Sequence, residues 1–170
     1  MLSNRANEEN LKNLKLNNYN IIAFATHAAV SGSLEGFNEP FLVLTPPKQA
    51  SVLNDGVLSA SEISGLDLNA KIVILSACNT ASKINEYAPG FSGLVASFFE
   101  AGTKSILATH WPISDKTSSI MINKTIKKVI DKKIGLSQAL QETKIEFING
   151  KYGDKYKSPV YWASYVIIGD

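Results

Sequence analysis

The chain has 170 residues, 45% hydrophobic and 19% charged, which fits one globular domain burying about 70% of its unfolded surface and excludes a disordered chain. Seventeen basic residues against 15 acidic leave a net charge of +2, and 16 of the basic residues are lysine, with Arg5 alone of its kind. So small an excess, nearly without the residue best suited to phosphate and base recognition, points away from nucleic acid or a membrane surface as partner. In chain order, residues 7–16 read as a helix with Leu11 and Leu14 on one face, and 21–26 as a short buried strand. Gly32, Gly36 and Pro40 precede the run Phe41-Leu42-Val43-Leu44, an edge strand or hairpin arm that Pro46-Pro47 stops. Asn54-Asp55-Gly56 signals a turn, and Ser59 with Glu62 opens a short helix to Ser64 that Gly65 closes.

The clearest strand is 71–76, KIVILS, whose Ile72 to Leu75 are branched and fully apolar and which is therefore central. A polar loop spans 79–90. A helix at 91–101 carries Leu94, Val95, Phe98 and Phe99 and ends at Gly102; a strand follows at 104–109, broken by Trp111-Pro112. Ser114 or Asp115 caps a helix over 116–133, with Ile122, Ile126, Val129 and Ile130 at helical spacing and Gly135 ending it. A further helix at 136–148 is closed by Gly150, and 161–168 is a last strand. Four core strands and five helices in alternation describe an α/β fold with a mainly parallel sheet.

Cys78 is the single cysteine, so neither an intrachain disulfide nor a cysteine-based metal site can form. No apolar run exceeds five or six residues and no apolar leader follows Met1, which makes a reducing cytoplasm the expected compartment. No metal or cofactor is expected.

Functional groups in open α/β sheets gather beyond the carboxyl ends of the strands. Two such ends here carry reactive side chains: His27 follows IIAFAT, and Cys78 follows KIVILSA. Parallel neighbours lie about 4.8 Å apart, so an imidazole could reach a thiol, and a cysteine nucleophile needs that neighbour to become thiolate. The two residues are 51 apart in sequence, a separation also found in caspases, where the histidine precedes the cysteine by about 50 residues.

The segments Ala25-Thr26-His27, Asp55 to Ile63 (DGVLSASEI) and Val73 to Thr80 (VILSACNT), followed by Gly93-Leu94, Phe98, Ala101-Gly102, Trp111-Pro112, Trp162-Ala163 and Ile168-Gly169-Asp170, resemble the CHAT family in order and over nearly the whole chain. These are caspase-like cysteine peptidase domains, often joined to tetratricopeptide repeats. The resemblance implies a caspase-like three-layer sandwich in a single domain over 1–170. It implies hydrolysis of peptide bonds in a protein or peptide substrate, with Cys78 as nucleophile and His27 as general base. The backbone N–H groups of Cys78 and Ala28 would form the oxyanion hole.

Two departures from the family pattern stand out. Ala28 occupies a position where the family usually has glycine, which predicts strain or a misdirected N–H. Only about 20 residues precede the histidine strand, so the sheet lacks the N-terminal strands of the full fold and exposes an edge; the chain is read as the C-terminal part of a longer protein, or as one whose edge another segment covers. Asp115 either caps its helix or lines the substrate pocket, while Ser76 and Asn79 flank the nucleophile and either position substrate or satisfy a turn. His110, Trp111 and Trp162 are read as structural, and the lysines at 124–133 as a solvated face. Two other functions stay open: an inactive scaffold of the same fold, and an unrelated cysteine hydrolase of small amides, which needs an acidic partner for His27.

Overall fold

The computed structural model describes residues 3–32, 36–51, 54–76 and 92–169. Among them the order of elements is α1 (Glu8–Lys12), β1 (Ile21–Phe24), β2 (Ala28–Ala29), β3 (Phe41–Val43), β4 (Val57–Ser59), α2 (Ala60–Ser64), β5 (Ile72–Leu75), α3 (Ser92–Glu100), β6 (Ser105–Thr109), α4 (Asp115–Lys132), α5 (Leu136–Ile148) and β7 (Tyr165–Gly169). The main sheet runs β1-β5-β6-β7, and β2-β3-β4 form a small second sheet. β1, β5 and β6 are parallel; β7 returns antiparallel to β6.

Sequence dictates this layering through the two-residue period of a strand. All four residues of β5 are buried. Val73 and Leu75 join Phe24, Ile63, Leu94, Phe98 and Ile106 in one apolar cluster, on the side of α2 and α3. Ile72 and Ile74 join Leu107, Met121, Leu140, Phe147 and Tyr165 in another, on the side of α4 and α5. A strand buried on both faces must be apolar without alternation, which is how Ile72-Val73-Ile74-Leu75 reads. The result is helix–sheet–helix, the three-layer sandwich that the resemblance implies.

β1 is the first strand of its sheet and, among the described residues, pairs with β5 alone. A groove of about 690 Å³ runs along it from Ile21 to Thr26, walled by Leu11, Leu14 and Tyr19 on one flank and Val43 to Thr45 on the other. α1 is pinned beside it by Glu8, whose fully buried carboxylate accepts the N–H groups of Asp55 (2.7 Å) and Gly56 (2.6 Å) and pairs with Lys12 at 2.9 Å. Gly56 is required at this turn: its φ is +91°, and a Cβ there would lie 2.9 Å from Pro46 Cα.

The elements depart from the sequence pattern in instructive ways. α1 spans only five residues, and Leu14 stays 38% exposed. β2 and β4 were not anticipated; Val57–Ser59 sits between a turn and a capping box, whose local signals outweigh three residues of strand. That box is formed as expected: Glu62 N–H donates to Ser59 Oγ (3.3 Å), and Ser59 N–H to Glu62 (3.0 Å). α4 ends at Lys133 in the left-handed region (φ +53°), not at Gly135, which instead precedes α5 as its N-cap. The buried face of α4 is Thr117, Ser118, Met121, Thr125 and Lys128, while Ile130 is 60% exposed. Residues 159–161 form a 3-10 turn, so the last strand starts at Tyr165 rather than 161. The loop expected at 79–90 lies outside the described residues.

Candidate functional site

Parallel pairing brings the carboxyl ends of β1, β5 and β6 to one rim. At the end of β1, Phe24 pairs with Leu75, and the Phe24 carbonyl accepts the Ser76 N–H at 3.0 Å. His27 and Cys78 are each the third residue beyond that couple. The His27 side chain is exposed, and its carbonyl accepts the Val43 N–H at 2.8 Å. Thr26 Oγ1 donates to the Val43 carbonyl. β3 thus straps the segment that carries the histidine. The sequence offered no signal for this strap beyond the apolar run Phe41-Leu42-Val43-Leu44.

Ala28 pairs with Leu42, between couples His27–Val43 and Ala29–Phe41. Antiparallel couples alternate between those that exchange hydrogen bonds and those that do not. Since Val43 N–H donates to His27, Ala28 occupies a non-bonded couple, and its N–H points away from β3. Ala28 is also absent from the described non-glycine residues with positive φ, which are Asn69 and Lys133. The strain foreseen for alanine at this position is not incurred.

At the end of β6, His110 is exposed and its N–H donates to the Ser164 carbonyl at 3.0 Å. Ser164 Oγ receives the Trp111 N–H (3.0 Å) and donates to the Trp111 carbonyl (3.1 Å), and Trp111 Nε1 donates to Val160 (3.0 Å). Trp111 and Trp162, whose Nε1 donates to Lys157 at 3.0 Å, thus brace the connection into β7. Ser114, not Asp115, caps α4: its Oγ accepts the Thr117 N–H at 3.4 Å. Asp115 is exposed in the first helical turn, where its charge complements the helix dipole. Of the flanking residues, Ser76 is half-buried, while Cys78 and Asn79 lie outside the described residues.

The CHAT domain family matches residues 1–170, the whole chain. The chain belongs to the CHAT-domain family. That places it in a caspase-like, peptidase-related group, in keeping with its layered α/β fold and with protein as the class of substrate. No curated protein matches this CHAT domain. Among its described residues no group of three or more His, Cys, Asp or Glu side chains could hold a metal ion, and no helix is long and apolar enough to cross a membrane.

Proposed function

We propose that this CHAT domain is a cysteine endopeptidase in which Cys78 and His27 form the catalytic dyad. The observation that carries the reading is the register: β1 and β5 are parallel neighbours, and both residues follow the same paired couple by three positions. His27 takes the Cys78 thiol proton, and the thiolate attacks the scissile carbonyl. The Ala28 and Cys78 N–H groups stabilise the resulting oxyanion; one such donor is typically worth about 3–4 kcal/mol. His27 then gives the proton to the departing amine, leaving a thioester. Water, deprotonated by His27, attacks the thioester, and collapse releases the acid and restores the thiol.

Ser76, Asn79 and Asp115 are the proposed substrate-contacting residues. Asp115, exposed beyond β6, would favour a basic side chain beside the scissile bond. The reading extends to a cytoplasmic, reducing setting, supported by the single unpaired-by-count thiol, and to regulation by a tetratricopeptide-repeat region in the same or a partner chain, supported by the family resemblance. A thiol-reactive peptide probe should label the protein and neither Cys78→Ala nor His27→Ala, with peptide cleavage lost in parallel. Equal labelling of wild type and Cys78→Ala defeats the proposal. The non-catalytic alternative, a scaffold of the same fold with a decayed oxyanion hole, rests on Ala28 in place of glycine; the strand backbone of Ala28, outside the positive-φ region, supports the catalytic reading.

A further inference from the structure

Among the described residues β7 pairs with β6 alone, and on its other side a shallow groove of about 760 Å³ lies between that strand and α5. Its floor and walls are Leu140, Ile145, Ile148, Trp162 and Ile167, with Lys144 as the one charged residue among the described residues that line it. Ile145 and Ile148 are each 46% exposed, a large apolar outlay on a helix face beside an open strand. The ladder with β6 sets the direction of the backbone here. His110 N–H bonds to Ser164, so Ser164, Val166 and Ile168 face β6, and Tyr165 and Ile167 turn their backbone groups to the open side. Lys144 confirms this, donating from the groove to the Tyr165 carbonyl at 2.7 Å.

Lys144 is half-buried, its described hydrogen bond is to a neutral carbonyl, and burial lowers its pKa. The other α4–α5 lysines for which ion pairs are seen meet carboxylates: Lys128 and Glu146, Lys132 and Glu142, Lys127 and Asp131. A lysine leaning onto an edge strand obstructs indiscriminate pairing. A carboxylate arriving in the groove would compensate the ammonium and draw it off the carbonyl, freeing an edge acceptor.

We propose that the β7–α5 groove is a docking site for an extended acidic peptide segment, which adds as a strand along Ile167 and places a carboxylate on Lys144. Main-chain hydrogen bonds to β7 supply affinity, apolar side chains at alternate positions meet Ile145 and Ile148, and the charge on Lys144 selects the sequence. The site lies on the far side of the sheet from β1 and does not depend on the proposed dyad.

The probes are fluorescent six-residue peptides of alternating valine and threonine with one central glutamate, glutamine or lysine, titrated against the full chain by anisotropy. The glutamate peptide should bind about tenfold more tightly than the glutamine peptide. Lys144→Gln should erase that difference, and Lys144→Glu should reverse it in favour of the lysine peptide, so that a folding defect cannot imitate the result. Hydrogen exchange at the Ile167 amide should slow when the glutamate peptide binds. Equal binding of the three peptides, discrimination that survives Lys144→Glu, or a concentration-dependent dimer of the wild-type chain that excludes the peptides would each overturn the proposal; the last assigns the groove to a second copy.

Discussion

Ala28 illustrates how a single residue changes meaning between sequence and structure. As a letter after His27 it departs from the family's glycine and implies strain. In the fold it is a strand residue opposite Leu42 with ordinary φ, its N–H directed away from β3. What glycine would add there is chain freedom, which weakens a strand. Ala28→Gly should therefore lower stability by about 0.5–1 kcal/mol and change peptide cleavage by less than about threefold; denaturant midpoints and initial rates check both. A gain in cleavage of an order of magnitude would show that alanine does block the oxyanion hole. Residue chemistry was legible where backbone and side chain act locally, as in the Ser59–Glu62 capping box. It was not legible where partners lie far apart in sequence, as with Glu8 and the Asp55-Gly56 turn, or Val43 under His27.

At the scale of elements, the α4–α5 pair shows the same division. Helical spacing located both helices, yet it read the lysines at 124–133 as one solvated face. Lys128 is 9% exposed and donates to Thr143 Oγ1 (2.9 Å) and Glu146 (3.0 Å). Periodicity of apolar residues is blind to a buried lysine whose partner sits on the next helix. Glu146 also accepts Lys151 and the Tyr152 hydroxyl. Burial raises its pKa, but these donors outweigh burial and hold it at about 2, against an ordinary 4.5. A carboxyl whose pKa is depressed in the folded state contributes stability that is complete above the unfolded value and fades as pH falls toward the folded one. Glu146 should thus contribute its full share above pH 4.5 and lose it progressively toward pH 2. Glu146→Gln should be less stable at neutral pH and show a shallower acid decline than wild type. Urea midpoints across the acid range measure this, and parallel curves for the two proteins would mean that the cluster does not act through its charge.

The whole molecule is organised by one sheet shared between two apolar layers. Phe98 lies in the layer with Phe24, their rings 5.4 Å apart, and Phe147 in the layer with Tyr152, rings 4.7 Å apart. This arrangement was legible because β5 is apolar on both faces, and such a strand requires cover on both sides. The order of its strands was only half legible: the central place of β5 followed from its own residues, whereas the lysine leaning on β7 joins residues 21 apart in sequence. Because Val73 and Ile74 are consecutive residues of one strand facing opposite layers, loss of either layer removes cover from the same backbone. Phe98→Ala and Phe147→Ala should each cost about 3–5 kcal/mol and preserve a single transition. Tryptophan fluorescence gives the decisive test, since Trp162 packs into the Phe147 layer. In Phe98→Ala its midpoint should fall together with that of far-ultraviolet circular dichroism. A tryptophan signal that keeps its wild-type midpoint while dichroism is lost would show two layers unfolding independently, and the sheet would no longer explain how the rim bearing His27 is held.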